Sequence, residues 1–516
     1  MPPSHEAITR RTLLQAGALS VGIGRGLQQP APYSSTTAIN SALEAVRSEA
    51  DLGPYSPSWP GITGQFGVPQ WYKDAKFGIF IHWGAYSVPA FGSEWYPRMM
   101  YIQGSPEYRH HIATYGPQTR FGYKDFIPMF RAARFDAAGW AALFRQAGAR
   151  FVVPVAEHHD GFAMWNSAIT PWCAGKMGPK RDVIGELAAA VRADGMTFGV
   201  SFHRAEHWWF FNGGRTFPSD VQDARWRGLY GPAAPDNVQP NARFLDEWLA
   251  RAGELVNRYN PQLFWFDWWI EQPAFQTRLQ QFAACLYNRG IHNRMPAAIN
   301  YKGTTFPGRA AVLDLERGQL AQIRPTLWQT DTSVSTISWG YIQNDRYKLA
   351  GDIIQDLVDI VSKNGVLLLN IGPKSDGTIA AGESAVLVEI GKWLAVNGEA
   401  IYATRPWIIF GEGPSNVVGG SFNDTKRTAF TGSDIRFTQK GGRLYAIIMA
   451  WPGSSVTVTS LSSKMALAPA PVATVRMLGC PEPLAWTQDD RGLTVQMPGQ
   501  RPCDTAYSLE ITFRTA

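Results

Sequence analysis

The chain has 516 residues, 45% apolar and only 17% charged, which excludes a disordered or coiled-coil protein and leaves room for one large domain with a smaller companion. Its 48 Lys and Arg against 42 Asp and Glu give a formal charge of +6, spread without a basic block, so nucleic acid is not expected as a partner. Aromatic residues reach 13%, more flat apolar surface than a core alone asks for, and that suits a protein gripping sugar rings.

Residues 9–23 read TRRTLLQAGALSVGI. The pair Arg10 and Arg11, followed by a weakly apolar run too short to span a bilayer, has the pattern of a twin-arginine export signal. Residues 1–50 are therefore read as signal plus linker. No other segment offers 18 uninterrupted apolar residues, so the mature protein is expected to be exported, periplasmic or secreted, with no stable membrane insertion. Cys173, Cys285, Cys480 and Cys503 show no CxxC spacing and indicate no structural zinc; Cys480 and Cys503 are available for pairing in an oxidising compartment.

From residue 51 to 410 short apolar runs alternate with amphipathic stretches. The runs KFGIFIH (76–82), RFVVPVAE (150–157), TFGVSFH (197–203), QLFWFD (262–267), PAAIN (296–300), AVLDLE (311–316), TLWQTD (326–331) and VLLLNIG (366–372) read as strands. Between them DAAGWAALFRQAG, DVIGELAAAVRADG, LDEWLARAGELVNRY and DIIQDLVDIVSKNG read as helices, each with an Asp near its start suited to capping. Strand and helix in alternation mean parallel strands with crossover helices, and eight such strands predict an α/β fold of (β/α)8 barrel type. The connections between 300 and 326 are too short for full helices, so the barrel is expected to be irregular there. Residues 411–516 change to period-two runs broken by GG and PGSS, the pattern of hairpins in a β-sandwich domain.

In such a barrel the reactive groups lie where strands end, on the C-terminal face. The strand ends supply His82, His158, His159, His203, Asp267, Lys302, Glu316 and Asp331. Asp267 stands in FWFDWW, where a carboxylate among aromatics is costly without a partner or a purpose. His158 and His159 offer imidazoles to a metal, but neighbours on a straight strand point to opposite faces, so they chelate one ion only if the chain bends. Neutral imidazoles equally well bridge sugar hydroxyls, each offering one donor and one acceptor.

Seven blocks in order carry a family resemblance: WYKDAKFGIFIHWGAYSVPAFGSEWY (71–96), EHHDGFAMWNS (157–167), GPKRDVIGEL (178–187), WFDWW (265–269), DLERG (314–318), WQTDTSVSTISWGY (328–341) and DIVSKNGVLLLNIGPKSDGTI (359–379). The chain resembles the retaining α-L-fucosidases. The resemblance implies Asp267 as nucleophile and Glu316 as acid/base, with His82, Glu94, Trp95, His158, His159 and Trp265 binding the sugar. Many relatives carry Tyr-Tyr-Ser after the third strand where this chain has Ser201-Phe202-His203, which puts His203 in place of a tyrosine contact; Lys302 stands near an arginine of some relatives. The implied activity is exo-hydrolysis of terminal α-L-fucosyl residues from glycans through a covalent fucosyl-enzyme, with no cofactor and no metal. An aromatic wall would recognise the C5 methyl of fucose, the candidates being Phe202, Trp95 and Trp268. Two other classes stay open: a lectin-like exported module, which would lack one of the two carboxylates, and a metal-dependent hydrolase using His82, His158 and Asp267 as ligands.

Overall fold

The structure, a computed structural model, describes residues 33–425, 429–465 and 467–514. Arg10 and Arg11 lie outside the described residues. Eight parallel strands, β1 (Phe77–Ile81), β2 (Phe151–Glu157), β3 (Thr197–Phe202), β4 (Leu263–Phe266), β5 (Ala298–Tyr301), β6 (Val312–Glu316), β7 (Trp328–Ser333) and β8 (Gly365–Ile371), close into a barrel in chain order. The longer helices around it are α1 (Thr36–Asp51), α2 (Ala137–Gln146), α3 (Val183–Ala193), α4 (Ala242–Tyr259), α5 (Gln276–His292), α6 (Ala350–Ser362) and α7 (Ala381–Asn397). Helices α2 to α5 make the first four crossovers and α6 the last. The chain passes from β5 to β6 and from β6 to β7 without a helix, which is the expected irregularity.

The period of two sorts each strand into an outer and an inner row. On β1, Phe77, Ile79 and Ile81 join the main core under the helices while Phe80 points into the barrel; on β4, Phe264 and Phe266 face out while Leu263 and Trp265 face in. Residues two further along the inner rows emerge at the C-terminal rim, and these are His82 after Phe80, His203 after Ser201 and Asp267 after Trp265. Below the rim the mostly apolar interior holds a polar chain: the Tyr72 hydroxyl lies 3.0 Å from Asn300 Oδ1 and donates to Gln329 Oε1 at 2.6 Å, and Gln329 Nε2 donates to Asp314 Oδ1 at 2.6 Å.

The linker reading of residues up to 50 is corrected for its last third. Residues 36–51 are α1, capped by the Ser35 hydroxyl accepting from the Ala38 N–H and packed on α4 and α5 through Leu43, Val46 and Ala50. Aspartate capping holds for α2, where Asp136 accepts from Gly139 N–H, and for α3, where Asp182 accepts from Gly185 N–H. Helix α4 starts earlier than the acidic residue suggested, on an Asn241 cap, and α6 begins at Ala350 without a side-chain cap.

Strand β2 shifts register against β3 between Val155 and Glu157. The shift turns Glu157 outward, where its fully buried carboxylate meets Arg204 Nη1 at 2.6 Å and both oxygens meet Arg251 Nη1 of α4 at 3.1 Å. Removing one partner from such a cluster strands buried charge, so Glu157→Ala is expected to cost about 3 to 5 kcal/mol in equilibrium unfolding by denaturant.

The C-terminal region packs a five-stranded antiparallel sheet on a three-stranded one. The larger sheet contains β9 (Arg405–Glu412), β10 (Ile435–Lys440), β11 (Arg443–Ile448), β13 (Val472–Met477) and β16 (Tyr507–Phe513); the smaller contains β12 (Ser455–Val458), β14 (Trp486–Gln488) and β15 (Leu493–Gln496). The expected boundary at 411 falls inside β9, which pairs with β10 and so begins the sandwich. The GG break becomes the β10–β11 hairpin, with Gly441 and Gly442 at φ 57° and 78°, the left-handed pair this turn requires. The sandwich is tied to the barrel by Arg436, whose Nε donates to Asp359 of α6 at 2.6 Å, and by Trp393 of α7, whose indole donates to the Ala506 carbonyl at 2.9 Å. All four cysteines are free thiols. Among the described residues no helix is long and apolar enough to cross a membrane.

Candidate active site

The rim brings the predicted side chains together. Ring centroids of His158 lie 4.4 Å from His159, 4.9 Å from His203 and 5.7 Å from His82. The chain does bend at the His158-His159 pair, as sharing one site requires: past the β2 register shift it leaves the strand, and both rings reach one site. Trp95 lies 5.2 Å from the His159 ring and Trp265 lies 5.1 Å from that of His203.

Asp267 is the centre of this group. Its Oδ2 faces His203 Nδ1 at 2.8 Å and His159 Nε2 at 3.4 Å. Both contacts fall on Oδ2, which leaves Oδ1 unengaged by them. Burial alone would raise the carboxyl pKa, but His203, His159 and Lys302 outweigh it and hold Asp267 well below the usual carboxylate range. His203 has no nitrogen left for a sugar hydroxyl, because its Nε2 lies 2.8 Å from the Ser201 hydroxyl. Burial keeps it below the ordinary histidine range, so Nδ1–H donates to Asp267 and Nε2 accepts from Ser201. The structure thus places His203 as the orienting partner of Asp267 rather than as a replacement for a tyrosine contact to sugar.

His159 is the cation of the set. Its Nδ1 donates to the His203 carbonyl at 2.9 Å, and its Nε2 lies between Asp267 and the carboxylate of Glu206, 3.7 Å away. A bare Nε2 would face two carboxylates. Burial would lower its pKa, but Glu206 and Asp267 raise it to about 9. His82 and His158 are pushed well down, first by burial and then by neighbouring imidazoles, and stay neutral. In a nitrogen-15 NMR titration His159 is expected to be the active-site imidazole still charged at pH 7, losing its proton near 9. Because its folded value is raised, its contribution to stability is complete below the unfolded value of about 6.5 and is lost as pH rises through 9.

His82 is held by Asn370 of β8, whose Oδ1 lies 2.7 Å from Nδ1, leaving Nε2 for a ligand. His158 Nδ1 is buried without a partner. Glu94 Oε2 accepts from the Trp339 N–H at 2.8 Å and the Ser338 hydroxyl at 3.1 Å, fixing the loop after β7. That loop carries the Trp339 ring 5.2 Å from His82 and 6.2 Å from Phe80. Phe202, one of the wall candidates, points the other way, against Trp248 and Phe264 under the helices. Trp339 joins Trp95 and Trp268 as an aromatic ring at the rim.

Glu316 ends β6, and its Oε2 accepts from the Trp268 indole at 2.6 Å and from Lys302 Nζ at 2.7 Å. Lys302 also meets Asp331 at 3.3 Å and lies 4.8 Å over the Trp265 ring, so it links Glu316 to the Asp267 side of the rim. Burial would lower the lysine pKa, but Asp331, Glu316, Asp267 and Asp314 raise it instead. Glu206, Trp339 and Asn370 were not singled out from the sequence. Asn370 had a signal, a lone polar residue in LLLNIG; Glu206 sits in a five-residue 3-10 helix (Arg204–Trp208) and Trp339 on a loop, where no periodicity marks them.

Among the described residues two donor groups have spacing that a metal accepts, His82 with His158 and His203, and His159 with His203 and Asp267. Both include His203, whose nitrogens are committed to Asp267 and Ser201, so coordination would break one of those bonds. Activity is expected to survive prolonged chelation, and stoichiometric metal lost together with activity would reverse this reading.

Residues 42–399 match the alpha-L-fucosidase family and residues 428–512 match the alpha-L-fucosidase C-terminal domain. The chain belongs to the alpha-L-fucosidase family. It is a glycoside hydrolase by that membership. It is 33% identical to the tissue alpha-L-fucosidase of Rattus norvegicus over 91% of this chain and 96% of that one, and 32% identical to the human tissue enzyme over 91% and 94%. The alpha-fucosidase of Thermotoga maritima in complex with a mechanism-based inhibitor superposes with a TM-score of 0.72 at 29% identity, covering 89% of this chain and all of that one.

Proposed function

We propose that the protein is an exo-acting α-L-fucosidase that releases terminal α-L-fucosyl residues from glycans by double displacement with retention. Asp267 attacks the anomeric carbon and Glu316 protonates the departing oxygen, then activates water to release fucose from the covalent intermediate. The observation that carries the reading is the asymmetry of Asp267: one oxygen is tied to His203 and cationic His159, and the other is left to attack. His82 Nε2 and His158 supply donors and acceptors to the sugar hydroxyls, His159 holds Asp267 ionised, and Trp339 packs on the methyl group. His82, His158 and His159 are 2–4% exposed, a floor that admits the end of a chain rather than its middle.

The test is hydrolysis of an aryl α-L-fucoside followed by proton NMR at early times. α-L-Fucose appearing first supports retention; β-L-fucose appearing first, or no hydrolysis, removes the reading. His82→Ala is expected to weaken binding of a fucose-like iminosugar by about 1 to 3 kcal/mol, the cost of one or two buried hydrogen bonds. Unchanged affinity in calorimetry would place the sugar elsewhere.

Export through the twin-arginine route completes the proposal. Replacing Arg10 and Arg11 together by Lys is expected to leave precursor in the cytoplasm, because the receptor reads the guanidinium pair. Normal appearance of mature protein outside the cytoplasm would refute it.

A further inference from the structure

Strands β9 and β10 are antiparallel neighbours, yet residues 413–434 join them where a few residues would suffice. The described part of this connection leaves the sandwich and runs to the barrel rim. Gly420 and Gln319 exchange backbone hydrogen bonds of 2.8 and 3.2 Å. The Phe422 N–H donates to the carbonyl of Glu316 at 2.9 Å, and the Asn423 and Asp424 N–H groups donate to that of Arg317 at 2.8 and 3.0 Å. Asp424, its side chain 8% exposed, then accepts from Lys348 at 2.6 Å, from Thr332 at 2.6 Å and from Arg317 at 3.1 Å. The seat is close enough to require glycine at 318, where a Cβ would come within 2.2 Å of the Gly420 carbonyl oxygen.

At the tip stands Phe422, with φ at 60° and 54% of its surface exposed. A lone exposed Phe needs no explanation. A bulky residue in the left-handed region does, because that backbone persists only where its surroundings impose it. Here the surroundings are the hydrogen bonds to Glu316 and Arg317, which seat the Phe422 backbone against that of the acid/base and leave its ring more than half exposed. Trp268, partly exposed and bonded to the Glu316 carboxylate, is a second aromatic at the same residue.

We propose that the β9–β10 connection builds the leaving-group side of the active site, with Phe422 as the platform for the sugar ring that departs from fucose. The inference rests on the fucosidase reading above. The oxygen that Glu316 protonates belongs to the leaving group, so the first ring of that group lies beside Glu316, and the C–H face of a pyranose packs on an aromatic ring. The occupant is a glycosyl leaving group rather than a small alcohol.

The experiment compares α-L-fucosyl fluoride, which has no leaving-group ring, with a fucosylated disaccharide. Hydrolysis of the fluoride by the unaltered enzyme establishes fucosidase activity independently of Phe422; without it both reading and proposal fall. Phe422→Ala is expected to keep its melting temperature and its kcat/KM on the fluoride within twofold, while kcat/KM on the disaccharide falls roughly 3- to 10-fold. Phe422→Trp should restore the disaccharide. Equal losses on both substrates, no loss on the disaccharide, or no recovery with Trp would overturn the proposal.

Discussion

Asp267→Gly is expected to lose turnover by on the order of 10^4-fold or more while keeping the fold, because the carboxylate that forms the intermediate is gone. The removed side chain is small and sits at the rim, so circular dichroism and melting should change little. Added azide enters the vacated space on the β face and displaces the leaving group directly, and the product should be β-L-fucosyl azide. A 2-fluorinated fucosyl donor, which slows both steps, should label the unaltered protein on the peptide containing WFDWW and leave the variant unlabelled. A label on another acidic peptide, or α-azide from the glycine variant, would move the nucleophile elsewhere.

The strand ends were legible because barrel strands are covered on both faces and read as continuous apolar runs. The first polar residue after the run then marks the rim, as with His82 and Asp267, while in β3 and β6 Ser201 and Asp314 interrupt the run before His203 and Glu316. What each does there was less legible. His159 reaches Asp267 only because β2 shifts register before Glu157, an event that adjacent letters do not announce. His203 was read as a sugar ligand, and the Ser201 hydroxyl two residues earlier is what commits its second nitrogen. Residues 36–51 looked like linker because Ser, Thr, Ala and Glu dominate, yet Leu43, Val46 and Ala50, three and four apart, form one buried face. Trp339 and Phe422 come from loops placed by contacts distant in sequence, with Glu94 and Glu316 respectively, and local pattern carries no trace of such pairing.

Glu316→Ala should separate substrates by the quality of their leaving groups. An activated phenolate departs without a proton, so the first step on such an aryl fucoside should stay near normal, whereas a sugar alkoxide needs the proton and the oligosaccharide rate should fall by about 10^2- to 10^4-fold. Trp268 and Lys302 both bond Oε2 of Glu316, which leaves Oε1 to carry the proton that moves. The second step also slows, since the same carboxylate activates water, so the fucosyl-enzyme should accumulate on the aryl substrate after an initial burst. Azide needs no base and should restore turnover. Here it meets the intermediate rather than the substrate: Asp267 already holds the β face, azide attacks from the α face, and the product should be α-L-fucosyl azide. The two variants therefore give opposite anomers from one reagent, and this assigns the roles without reference to rate. If Glu316→Ala lost both substrates equally and azide rescued neither, Glu316 would be a positioning residue. Among the acids near it, Asp331 is held by Lys302 and its pKa is raised well above the usual range, first by burial and then by Asp314, which makes it the next candidate for the proton donor.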